Sequence, residues 1–203
     1  MNVLIVARTK VRSRVCLGGL ELSESRSLRL VDQGGYFFSP EGPFAVGLVW
    51  DLEWVPASGI VPPHVEDVVL RSSRFVRAER SVRDLLLATV SPWTGPLAGT
   101  FDGRLACTPG LPYSLYACRG HGIPARSAWY WVVDRELVLE NGRYVLRKDG
   151  LTVLRVAYVG AEAAPRVLSA GTLVYLSLAR WWRPDDVPDA EERCYLQISG
   201  CYS

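Results

Sequence analysis

Lysine is almost missing from this chain of 203 residues. Lys10 and Lys148 are the only two, so arginine supplies 21 of the 23 basic side chains. That bias accords with a GC-rich or hot-living source more readily than with planar recognition of phosphate. Histidine is as scarce: His64 and His121 leave few ways to assemble a metal or acid–base site. The five cysteines, Cys16, Cys107, Cys118, Cys194 and Cys201, are odd in number and form no C-x-x-C pair. Zinc would want paired ligands at tighter spacing, so free thiols and no bound metal are expected. No uninterrupted apolar run approaches the roughly 18 residues of a membrane-spanning helix. The apolar opening has no basic stretch before it and Arg8 ends it too early for an export signal, so a cytoplasmic protein is expected.

Charge of one sign is missing too. Residues 1–90 hold 11 Lys and Arg against 10 Asp and Glu, and residues 91–203 hold 12 against 11. Each half is +1, so neither is a basic module whose field alone gathers nucleic acid. Enzyme signatures are missing as well: there is no G-x-x-x-x-G-K-[ST] loop, no G-x-G-x-x-G and no G-x-S-x-G elbow. His64-Val65-Glu66 has the H-x-E spacing of zinc deaminases without the P-C-x-x-C half. A non-enzymatic protein without cofactor is the expectation.

What is present is apolar and rich in strand formers. Hydrophobic residues make up 49%, with 18 Gly, 13 Pro and 7 Trp, which excludes a disordered chain. Runs of Val, Leu and Ile predict strands over residues 2–8, 15–22, 28–31, 46–55 and 65–76. One helix is expected after Ser81, where Asp84 three residues on resembles a capping box and Val82, Leu85, Leu86 and Val90 follow at helical spacing. A connector follows at residues 91–96. Short strands are expected near 99–105 and 114–118, then an aromatic strand over 128–133. Asn141-Gly142, the preferred type I′ dipeptide, and Asp149-Gly150 predict a three-stranded meander over residues 136–159. Two more strands, 171–178 and 194–202, flank an acidic loop holding Asp185, Asp186, Asp189, Glu191 and Glu192. About five strands in each half suggest an all-β protein of two small barrels, with less than about a tenth of the chain helical.

The segments VLIVARTK, VCLGGLEL, SRSLRLVD, PPHVEDV and CYLQISGCY, taken in that order, resemble the prokaryotic dual OB domain-containing proteins. The resemblance spans Val3 to Tyr202. It implies two tandem OB-like β-barrels, 1–90 with the short helix and 91–203, and a place beside conflict or phage-defence genes. It also implies nucleic acid, single-stranded DNA or RNA, or a defence-system protein as partner, the second as a non-catalytic adaptor or assembly subunit. No catalytic motif comes with it.

Three groups of residues are candidates for function. Arg8, Lys10, Arg12 and Arg14 crowd the end of the first strand and the loop after it, where OB barrels border the groove for single strands; a merely solvated loop is the alternative. Trp129 and Trp131 share one strand face, either as a stacking platform for bases or, more in keeping with small barrels, as core. His64 and Glu66, placed on one face of a strand with Asp67 on the other, form a polar site or a structural pin, the pin being favoured by the prolines before them. Of Trp181-Trp182, at least one must reach a surface, between the barrels or toward a partner. For Arg71, Arg74, Arg77, Arg80 and Arg83, opposite strand facings exclude a continuous stripe.

Overall fold

The computed structural model describes residues 1–183 and 189–203. Asp185 and Asp186 of the acidic loop lie outside the described residues. Five strands, β1 (Asn2–Val11), β2 (Arg14–Glu21), β3 (Arg26–Val31), β4 (Leu48–Pro56) and β5 (Asp67–Ala78), close into a barrel in the order β1-β2-β3-β5-β4. The β3–β5 pair is parallel and the others are antiparallel, the OB-like arrangement. Alternation along β1 places Val3 and Ile5 inside with Leu17, Leu28, Leu30 and Leu52. Leu4 and Val6 point outward yet are equally buried, because the second half of the chain covers them. Burial on both faces is why the opening reads as a continuous apolar run rather than an alternating one.

Helix α1 (Val82–Thr89) starts at Ser81, whose hydroxyl accepts the Asp84 N–H at 3.3 Å. Its Leu86 is buried between the two halves. The expected strand near 99–105 is instead a pair of 3-10 turns, Leu97–Gly99 and Phe101–Gly103. Phe101, Asp102 and Gly103 have φ of 54°, 63° and 69°, a left-handed run that no strand can contain. Only β6 (Ala106–Cys107) is extended there, paired with β7 (Leu115–Cys118).

The meander forms where the turn dipeptides predict it. β9 (Leu137–Glu140) and β10 (Arg143–Lys148) are joined by Asn141-Gly142 at φ 49° and 74°; β10 and β11 (Leu151–Tyr158) are joined by Asp149-Gly150 at 51° and 78°. Two successive positive φ values give the primed turn that matches strand twist. With β8 (Ala128–Val132), β12 (Val167–Leu168), β13 (Leu173–Leu178) and β14 (Arg193–Tyr202), the sheet runs β12-β9-β10-β11-β14-β13-β8, and β11–β14 is its parallel pair. β8 and β9, toward opposite ends of that path, are consecutive in the chain. Counted as one broken first strand, they give this sheet the strand order of the first barrel. Its interior is filled by Trp131, Tyr144, Leu154, Val156, Leu176 and Ile198.

The two halves meet along an apolar seam. Leu4, Val6, Leu20 and Val49 pack on Tyr130, Leu173, Tyr175 and Tyr202. The approach is close enough that a Cβ on Gly18 would stand 3.0 Å from the Tyr175 ring. The Tyr202 hydroxyl donates to the Val6 carbonyl across the seam. Among the described residues no helix is long and apolar enough to cross a membrane.

Candidate nucleic-acid interface

In OB barrels the face of the second and third strands, bordered by the loops after the first and fourth, receives single strands. The second half of the chain covers that face here. Gly18 on β2 lies under Tyr175, and the loop after β4 is fastened across the seam. Two openings flank the covered area, a cleft and a pocket.

The cleft encloses about 320 Å³, with Arg26 and Trp54 on the first barrel facing Arg126 and Trp129 on the second. The Arg26 guanidinium stacks 4.5 Å from the Trp54 ring centre, and Arg126 stacks 3.8 Å from Trp129. Arg26 is held in place by Glu21, a carboxylate 1% exposed that accepts from its Nε at 3.0 Å and its Nη2 at 2.6 Å. Arg126 forms no ion pair among the described residues, so its charge remains available to a ligand. Beyond Trp129 the cleft continues into a recess of about 160 Å³ lined by Trp93, Phe101 and Asp102.

At the cleft floor the His64-Val65-Glu66-Asp67 segment acts as a structural pin. β5 begins at Asp67, so His64 and Glu66 precede the strand instead of sharing a strand face. The Glu66 carboxylate accepts the Ser127 N–H and hydroxyl, both at 2.7 Å, and the Ala128 N–H at 3.2 Å. Three donors on one buried carboxylate fix its direction. Asp67 takes Arg29 on one oxygen and Arg180 on the other, the latter at 2.6 Å. His64, 1% exposed, sits with Nε2 3.8 Å from the Cys194 sulfur. Burial, and then the charges of Arg29 and Arg180, push the imidazole down to about 3, while burial pushes the Cys194 thiol up to about 12. Both groups are neutral near pH 7, the reverse of a thiolate–imidazolium nucleophile.

The second opening is a pocket of about 240 Å³ on the far side of the covered face, with Lys10, Cys16, Arg29, Tyr175 and Arg180 in its wall. It draws the basic hairpin toward the seam. The first strand runs to Val11, and only Arg12 and Ser13 form the turn, so Lys10 and Arg14 are strand residues where the sequence predicts a loop, while Arg8 lies in the strand as expected. The four cations divide. Arg8 donates to the Pro40 carbonyl and pairs with Glu162 at 3.3 Å; Arg14 donates to the Phe37 carbonyl at 2.7 Å and lies over the Tyr36 ring. Lys10 and Arg12 are exposed.

The tryptophans divide as well. Trp131 is 1% exposed, its indole N–H donating to the Gly95 carbonyl at 2.9 Å, and it belongs to the second core. That burial leaves it no ring face for a base. Trp129 is half-buried and faces the cleft. Trp181 joins the halves through its N–H to the Pro62 carbonyl at 2.8 Å, and Trp182 is 52% exposed. In the acidic loop, Glu191 accepts the N–H of Gly120, the middle residue of the 3-10 turn Arg119–His121, at 2.8 Å. Sequence reasoning missed Arg26, Arg29, Trp54, Arg126 and Arg180. Arg126 and Trp129 stand three residues apart, the one local signal among them; the other pairings join residues distant in the chain.

Fold and seam together define a class, an all-β protein of two OB-like barrels packed face to face. No family model matches the chain, and no curated protein matches it. A solved structure of a murine DNA-binding protein bound with double-stranded DNA aligns with 98% of this chain and 98% of its own, at 7% identity and a TM-score of 0.29. A superposition that loose carries no argument about this chain.

Proposed function

We propose that the protein binds single-stranded nucleic acid along the seam cleft. The observation that carries this reading is the pair of arginine-stacked indoles, Trp54 and Trp129, on opposite walls of one cleft. Bases stack on guanidinium planes as well as on aromatic rings, so Arg26 and Arg126, each lying over an indole, offer backed stacking surfaces whose charge also attracts the backbone. Lys10 and Arg12 add exposed positive charge at the other end of the covered face, within reach of a strand that runs on from the cleft. The dual-OB resemblance, with its association with defence systems, belongs to the same proposal.

A second reading, a non-catalytic adaptor for a defence-system protein, draws support from Trp182. Its exposed ring packs 6.1 Å from Tyr195 on the second sheet. Large exposed indoles are enriched where proteins meet.

Fluorescence anisotropy with single- and double-stranded DNA and RNA across a salt series separates the two. Binding of single strands, weakened by about 1–3 kcal/mol in Trp129→Ala and in Trp54→Ala, is the expected outcome. Absence of binding at low salt rejects the first reading and leaves the adaptor.

A further inference from the structure

The pocket on the far side of the seam is a different kind of site from the cleft. Its apolar wall includes Phe37, Val159 and Leu178, and its polar groups are concentrated around Arg29. Arg29 comes from the covered face of the first barrel, Arg180 from the chain just after β13, and Lys10 from the exposed end of β1. Asp67 is the carboxylate that pairs with both arginines. Three cations against the two carboxylates Asp67 and Glu66 leave a local charge of +1. Glu66 is further engaged by the Ser127 and Ala128 donors.

One donor in this group has no acceptor. Arg29 uses Nε for Asp67, whereas its Nη2 is out of contact with solvent and has no hydrogen-bond partner. A buried guanidinium nitrogen without an acceptor is costly. Arg29 lines the pocket, so a small shift of its guanidinium would bring Nη2 to an oxyanion there, and guanidinium forks match that geometry.

We propose that this pocket binds a phosphomonoester, its dianionic head held by Arg29, Arg180 and Lys10 and its organic part against Phe37 and the aliphatic wall. The net positive charge favours an anion, the two guanidinium forks favour an oxyanion of phosphate geometry, and the apolar wall favours an ester over free phosphate. A phosphodiester, with one charge and two substituents, offers fewer free oxygens to the three cations and is the weaker ligand. The monoester could be carried by a small metabolite or by the terminus of a strand, and the chemistry of the head is the same for both.

Calorimetric titration of the full chain with phenyl phosphate tests the site, with phenol and dimethyl phosphate as controls. Phenyl phosphate should bind and both controls should not. Lys10→Ala and Arg180→Gln, which alter exposed and half-exposed side chains, should each weaken binding about tenfold or more. Trp54→Ala with Trp129→Ala should leave it unchanged, so failure of the cleft as a nucleic-acid site and failure of this pocket are read separately. A gain in affinity for a 5′- or 3′-phosphorylated oligonucleotide over its hydroxyl form, lost in Arg180→Gln, assigns the strand terminus as source. No such gain, with phenyl phosphate still bound, assigns a metabolite. Phenyl phosphate binding no better than phenol, or binding indifferent to both cation variants, overturns the proposal.

Discussion

Glu66 receives both the backbone N–H and the hydroxyl of Ser127, 61 residues further along the chain, at 2.7 Å each. The bond pair ties the start of β5 to the start of β8 and so fixes the two barrels at the cleft floor. Removing the carboxylate leaves the Ser127 N–H and hydroxyl and the Ala128 N–H buried without acceptors. Glu66→Ala should therefore destabilise the protein by about 3 kcal/mol or more. Glu66→Gln, which keeps one acceptor oxygen, should lose less. Urea unfolding of the three proteins side by side checks the order, and equal stability of Glu66→Ala and the natural protein would refute the clamp.

His64 makes stability depend on pH in a stated direction. Its folded-state value lies near 3, below the ordinary 6.5, because burial and the Arg29 and Arg180 charges oppose the imidazolium while Asp67 partly favours it. Above pH 6.5 both folded and unfolded chains hold it neutral and it contributes no slope. As pH falls from 6.5 toward 3, the unfolded chain takes up the proton and the folded chain does not, so stability is lost at about 1.4 kcal/mol per pH unit. Between pH 6.5 and 4.5 the natural protein should lose about 2–3 kcal/mol more than His64→Gln, measured by denaturant unfolding at both values. Equal losses would mean that His64 is protonated in the folded state.

With a strand long enough to run from the cleft to the far end of the covered face, the basic hairpin contributes two phosphate contacts, because Arg8 and Arg14 are engaged by Glu162 and by backbone carbonyls. Lys10→Ala with Arg12→Ala should flatten the slope of log affinity against log salt by about 1.4. Trp129→Ala should weaken binding with the slope retained, since stacking releases no counterions. An unchanged slope in the double variant would place the phosphates elsewhere.

The thiols should fall into two classes. Cys107 is exposed; Cys16, Cys118 and Cys194 are buried, and half-buried Cys201 is pushed up to about 11 by its surroundings. Reaction with an aromatic disulfide reagent at pH 8 should show one fast thiol in the folded protein and five after denaturation. Fewer than five after denaturation, without reductant, would indicate a crosslink.

Elements whose determinants sit within a few residues of one another are legible in the amino-acid sequence alone. The two primed turns of the meander need only Asn141-Gly142 and Asp149-Gly150, and α1 needs only its Ser81 cap and the spacing of its apolar face. Strands follow from runs of β formers to within a few residues, and the all-β class follows from their number. The exception is 97–103, where left-handed residues other than glycine make turns that carry no compositional mark.

Burial is a different matter. Alternation places Trp129 and Trp131 on one side of β8, but both sides of that strand are covered, Tyr130 by the first barrel and Trp131 by the second core. Period alone therefore cannot say which indole keeps a free face. The site residues escape for a related reason. Arg29, Asp67 and Arg180 stand 38 and 113 residues apart and meet because two barrels close on each other, and the same closure brings Trp54 opposite Trp129. Local chemistry sets turns, caps and strand faces through interactions a few ångströms long. Which charges end up sharing a carboxylate, and which rings share a cleft, is decided by apolar burial along the seam, a non-directional force that acts on whole faces at once.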